Sequence, residues 1–213
     1  MPRPRIHDLD LLLDAAEQLA VESGAASVTV RALSEATSVS NGAIYHAYGS
    51  RAGLVGSVWL RAAQRFLALQ STSVDSVFDT HPPRDASDAV VAAADAPAAF
   101  LLEYPQSGRF LLAVRRSELI GSDDIPEQIA ESLRALDTSI TDLLIRLSRA
   151  VWDRSDRVAV AVIRECIVEL PGAMLLRGER TPDPAVRERL AAAVRAVLAV
   201  PLPPYTPSQT ANK

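Results

Sequence analysis

The chain has 213 residues, 48% hydrophobic and 23% charged, a globular composition that excludes a disordered or fibrous protein. A single cysteine, Cys166, excludes an internal disulfide, and one cysteine with only three histidines argues against a structural zinc site. The net charge of −4 argues against indiscriminate nucleic-acid coating, and no apolar run approaches the roughly 18 residues of a membrane helix.

The pattern in chain order is helical throughout, because period-two alternation is missing and aromatic residues are scarce. Leu9, Leu12, Leu13, Ala16, Leu19 and Ala20 predict a first helix over 8–23, with Gly24 as its left-handed stop. Thr29 and Ser40 are caps for two short helices, 30–37 and 41–47, and Ser50 caps a longer one over 51–70. The Ser/Thr/Asp/Pro-rich stretch 71–84 reads as a break. Further helices are expected over 85–103, 105–118, 126–150, 155–177 and 183–199, with Pro105 and Pro126 in first turns. Pro203, Pro204 and Pro207 make 201–213 an extended tail.

The informative segment is 29–48. Two capped helices of two turns each meet at a corner, Thr37–Val39, which Leu33, Val39 and Ile44 are placed to pack. The outer face of the second helix is free of bulky aliphatic groups, as entry into a DNA major groove requires. On that face Asn41 can read base edges, Ala43 can touch a thymine methyl, and Gly42 permits close approach. Tyr45 and His46 can donate to phosphates, and Arg51 adds charge at the start of the next helix. Within 31–65, Arg31, Arg51, Arg61 and Arg65 stand against Glu35 alone, whereas the remainder is acidic on balance.

These residues resemble the DNA-binding domain of the TetR family of bacterial transcriptional regulators. The likeness is carried by Leu12-Leu13-Asp14-Ala15-Ala16, Gly24, Thr29-Val30-Arg31-x-Leu33, Val39-Ser40-x-Gly42-x-Ile44-Tyr45-His46-x-Tyr48 and Ser50-Arg51-x-x-Leu54. It spans 9–54 without a gap and departs from the family pattern at Thr37-Ser38, Asn41, Ala43 and Gly49. The resemblance implies an all-α cytoplasmic homodimer that needs no cofactor. Its expected organisation is a helix-turn-helix domain over 1–50, an effector-binding and dimerisation domain over 51–200, and the tail. It also implies a palindromic double-stranded operator and release by a small effector, which the Ala/Leu/Val-rich interior suggests is mostly apolar. Two alternatives stand beside it: a regulator controlled by a protein partner, and a helical small-molecule-binding or enzymatic protein.

The expected DNA-facing set is therefore Thr29, Arg31, Ser40, Asn41, Gly42, Ala43, Tyr45, His46 and Arg51, with Arg3 and Arg5 as a minor-groove arm. Trp59, Phe66, Phe100, Tyr104, Phe110 and Trp152 are the bulky aromatics beyond that unit and the candidate effector contacts. From Val158 to Leu176 the apolar residues cover more than the single stripe of a core-facing helix, so a second buried face is expected. A dimer interface follows at Val160, Ile163, Ile167, Leu170 and Met174, flanked by Leu190, Val194 and Val197. Asp123 and Asp124 read as a helix cap, Cys166 as a packed thiol and Tyr48 as a core plug. No nucleophile–base–orienter set or phosphate-binding glycine loop has the spacing of a known motif, so neither catalysis nor a metal is expected.

Overall fold

The computed structural model describes residues 6–81, 85–115, 125–176 and 183–204. Every regular element among them is helical. In chain order they are α1 (Ile6–Ser23), a 3-10 turn (Ala25–Ser27), α2 (Val30–Thr37), α3 (Asn41–Tyr48), α4 (Arg51–Phe78), α5 (Ala86–Glu103) and α6 (Pro105–Ala113). There follow α7 (Glu127–Trp152), α8 (Arg157–Arg164), a π-helical turn (Glu165–Glu169), α9 (Leu170–Met174) and α10 (Pro184–Leu198). With 157–174 counted as one helical stretch, the described residues hold nine helices, and the expected all-α class is met.

Side-chain caps set several of the starts. Thr29, Ser40, Asp156 and Asp183 each accept a hydrogen bond from a backbone N–H of the following turn. Pro105 and Pro184 sit in first turns, where a missing N–H costs nothing. Gly24 does stop α1, but at φ 84° and ψ 158°, a conformation open essentially to glycine, rather than in the left-handed helical well.

Three elements differ from the sequence expectation, the first being the helix expected over 105–118, which ends at Ala113 with Val114 in extended conformation. The helix from Arg51 continues to Phe78 instead of fraying at 70. Ser71, Thr72, Ser73, Asp75 and Ser76 are indifferent helix formers, yet Val74 and Val77 are 0% and 7% exposed, so burial overrides local propensity. The helix expected over 155–177 carries the π turn at 165–169, in which the Leu170 N–H reaches Glu165 O, five residues back. Pro171 supplies the reason, since its ring crowds the carbonyl four residues before it and it has no N–H to offer.

Packing divides the chain into two compact units. The first comprises the chain up to Gln70 together with Pro97–Ile140; the second comprises Ser71–Ala96 and the chain from Thr141 on. In the first, Leu12, Ala16, Val28, Leu33, Ile44, Leu54 and Val58 form one core with Phe110 of α6 and Val114 just after it. The helix-turn-helix elements and α6 therefore share a single hydrophobic interior.

Candidate nucleic-acid interface

The two short helices are fixed from the backbone outward. Thr29 Oγ1 accepts from Ala32 N at 3.1 Å, and Ser40 Oγ accepts from Ala43 N at 3.3 Å. Between them the corner is closed by Ser38 in the left-handed conformation (φ 60°, ψ 12°), whose N–H donates to Ser34 O at 3.0 Å. A side chain in that conformation costs on the order of 1 kcal/mol relative to glycine. Thr37 lies beside it and donates its hydroxyl to Leu33 O at 2.7 Å, closing the last turn of α2. Leu33 and Ile44, 0% and 1% exposed, anchor α2 and α3 to α1; each burial is worth roughly 1.5–3 kcal/mol.

With Ile44 turned inward, α3 presents Asn41, Gly42, Tyr45 and His46 to solvent, Tyr45 with 53% of its surface exposed. Ala43 is half-buried, and Thr29, Arg31 and Ser40 are exposed around the same unit. Asn41 supplies an amide for base edges, and Tyr45 and His46 supply polar tips for phosphates. Gly42 offers an open backbone, because a Cβ added there would meet nothing within 4 Å. Arg31 pairs with Glu35 at 3.0 Å, but both ends are highly exposed, so a phosphate can redirect it at little cost. Tyr48 is half-buried against the core, and burial pushes its phenol upward, partly offset by Arg61; it is a core plug.

Arg51 has a role not visible in its sequence position. Its Nε donates to Val28 O at 2.7 Å and its Nη2 to Ala25 O at 2.6 Å, tying the first turn of α4 to the turn that precedes α2. It thereby holds the helix-turn-helix against α4, whatever further contact its remaining N–H groups make. On the neighbouring side Gly53 is packed so closely that a Cβ there would lie 2.1 Å from Tyr48 O and 2.8 Å from Pro126 Cδ.

The local excess of arginine dissolves on folding. Arg61 is bound by Asp14 at 2.7 Å and Glu17 at 2.9 Å and donates to Asp10 O at 3.1 Å. Arg65 lies 3.8 Å from Glu17 and donates to Ser107 Oγ, while Ser107 donates to Glu17 at 2.7 Å. Two of the four arginines thus serve a network joining α1, α4 and α6 around the 2%-exposed Glu17, rather than a DNA surface. Charge counted along the sequence missed this because the partners lie 42 to 90 residues apart.

Among the candidate effector contacts, Phe66, Phe100 and Tyr104 form a chain, with ring centroids 5.5 Å and 5.3 Å apart. Phe110 is 1% exposed within the core of the first unit, and Trp59 donates its indole N–H to Val114 O at 3.0 Å. Trp152 belongs to the second unit. Of the residues expected at a dimer interface, Ile163, Ile167, Leu190 and Val194 are at most 5% exposed within the single chain, while Val160, Leu170, Met174 and Val197 are half-buried. Cys166 is fully buried, and desolvation followed by Glu165 pushes its thiol up to about 11, as suits an inert packed group. Arg3, Arg5, Asp123 and Asp124 lie outside the described residues.

Comparison with known proteins agrees with this geometry. Residues 12–58 match the family of bacterial regulatory proteins, tetR family. No curated protein shows significant sequence similarity to the chain. Among solved structures, PfmR, a TetR family transcriptional regulator from Thermus thermophilus, superposes with a TM-score of 0.63 at 19% identity, covering 88% of this chain and 96% of its own. A tetR-family regulatory protein from Rhodococcus RHA1 gives 0.64 at 18% identity, covering 91% and 96%. A protein from Pseudomonas aeruginosa PAO1 described as a transcriptional regulator gives 0.70 at 20% identity, covering 92% and 91%. At these identities the structural likeness carries the fold. Residues 12–58 are thus a DNA-binding domain of the tetR family with α3 facing solvent, and the chain as a whole shares the fold of these regulators.

Proposed function

We propose that the protein is a homodimeric repressor that holds a palindromic operator and is released by a small, mostly apolar effector. The observation that carries the reading is the outward face of α3, where Asn41, Gly42, Tyr45 and His46 are all exposed on a helix anchored by Ile44. Two such helices must lie about 34–36 Å apart to meet successive major grooves, which a two-fold dimer provides.

The dimer is supported by an exposed stripe of small and apolar side chains. Val158, Ala161 and Val168 on 157–174 and Ala192, Ala196 and Ala199 around α10 face solvent in the single chain, with Val158 44% and Val168 47% exposed. These, rather than the buried Ile163 and Ile167, are the side chains available to a second copy. For the effector, the Phe66–Phe100–Tyr104 chain leads from Tyr104, 37% exposed, to the buried ring of Phe100 and the half-buried Phe66, a route into an apolar interior. Release would act through the joints that α4 makes with the helix-turn-helix, Arg51 among them.

A gel-shift titration with DNA from upstream of its own gene tests the reading. The proposal expects a discrete complex on a palindromic fragment and an altered base preference for Asn41→Ala. Binding indifferent to sequence in both proteins would overturn it.

A further inference from the structure

We infer that the second packed unit holds a binding site for an uncharged small molecule with an oxygen acceptor, in a cleft between α5 and α10. This goes beyond the repressor reading and does not depend on it. The cleft measures about 450 Å³, within the range of small-molecule sites, and opens to solvent. None of the aromatic residues discussed above lines it.

Its construction is specific. Asp88 and Asp95 lie seven residues apart on α5, and Arg187 and Arg195 lie eight apart on α10, so each pair is separated by about 10–12 Å along its helix. Arg187 grips Asp95 through two hydrogen bonds, Nε at 2.7 Å and Nη2 at 2.6 Å, and Arg195 Nη2 meets Asp88 Oδ1 at 2.7 Å. The ion pairs run as two rungs, one at each end of the cleft. Between them the facing walls are Val91, Ala92, Leu190 and Ala191. Long side chains stand at the rungs and Ala92 and Ala191 between them, which leaves the gap.

The chemistry of the walls selects the occupant. The four charges cancel, so a ligand carrying net charge would be desolvated against a neutral frame and gain no compensating partner. The middle is apolar and favours an apolar body of about 10 Å. Both arginines retain donors: Nη1 of Arg187, and Nε and Nη1 of Arg195, have no partner among the described residues. Against these three nitrogens, one carboxylate oxygen, Asp88 Oδ2, has no partner among the described residues, since both oxygens of Asp95 and Oδ1 of Asp88 accept from the arginines. The surplus at the rungs is thus of N–H donors, and a carbonyl or ether oxygen is the group that fits them.

Nile red, a flat neutral dye with a carbonyl oxygen, is the probe, and the anionic dye 8-anilinonaphthalene-1-sulfonate is its charged counterpart. Titrated into the full chain, Nile red should saturate at one site with a blue-shifted emission, and the sulfonate should bind at least tenfold more weakly. Ala191→Trp, which fills the cleft, should weaken Nile red at least tenfold, whereas Arg189→Trp, at an exposed position of the same helix outside the cleft, should leave it unchanged. Asp88→Asn, which unbalances the frame by one positive charge, should raise sulfonate affinity severalfold and leave Nile red within twofold. That variant keeps the test open if the tryptophan variant does not fold. Nile red binding to Ala191→Trp as to the parent, a sulfonate as tight as Nile red, or no response of the sulfonate to Asp88→Asn would each overturn the assignment.

Discussion

At the scale of single residues, Arg51 is the position where the sequence and the structure part most instructively. Its place at the start of a helix after a helix-turn-helix reads as a phosphate contact, and its charge is real. Yet two of its N–H groups are spent on the carbonyls of Ala25 and Val28, 26 and 23 residues away. A hydrogen bond from a charged donor contributes about 1.5 kcal/mol or more when buried, and less where solvent competes. Arg51→Ala should therefore lower unfolding stability by about 1–2 kcal/mol, read as a lower urea midpoint at unchanged slope. A midpoint equal to the parent's would make the clamp energetically silent. Ser38 gives the opposite case, because its departure from the family pattern is visible in the sequence and the structure has φ 60° there. Ser38→Gly removes strain on the order of 1 kcal/mol, less part of that for the more flexible unfolded chain, so it should raise thermal stability slightly. A fall in the melting temperature would contradict the strained-corner account.

At the scale of elements, the caps were legible because they are local. Thr29, Ser40 and Ser50 each accept from a backbone N–H three residues on, a range that a sequence displays directly, and Asp156 and Asp183 cap two further starts that the sequence placed without naming a cap. The Asp156 carboxyl shows this electrostatically. The Arg154 guanidinium, aided by the N–H groups of Ala159 and Val158, holds it down to about 2. Its folded value lies below its unfolded one, so its stabilisation is present above about pH 4 and is lost as pH falls toward 2. Asp156→Asn should flatten the acid limb of a helix-content titration in that window; an unchanged acid limb would show that the carboxylate does not secure α8. What the sequence hid were the long-range determinants: the burial of Val74 and Val77 that extends α4, and the Glu17 network that gathers Arg61, Arg65 and Ser107. Period and propensity carry no record of partners that far apart.

At the scale of the whole molecule, dimerisation is the feature on which the operator argument turns. The excess of apolar residues between Val158 and Leu176 was visible in the sequence, but which of them belong to the chain's own interior was not. Ile163 and Ile167 are consumed there, so a charge at either should unfold the protein rather than split it. Val168, 47% exposed, is the better site: Val168→Glu should leave helix content intact and convert a dimer to a monomer in sedimentation. A parent that sediments as a folded monomer at micromolar concentration would remove the dimer. The claim at the centre is that the exposed face of α3 is the DNA-reading surface, and an equilibrium binding isotherm tests it most directly. Fluorescence anisotropy on a palindromic upstream fragment should show affinity that falls steeply with salt, with Tyr45→Ala and Asn41→Ala together weakening specific binding at least tenfold. A double variant of intact fold that binds the fragment as tightly as the parent would contradict it.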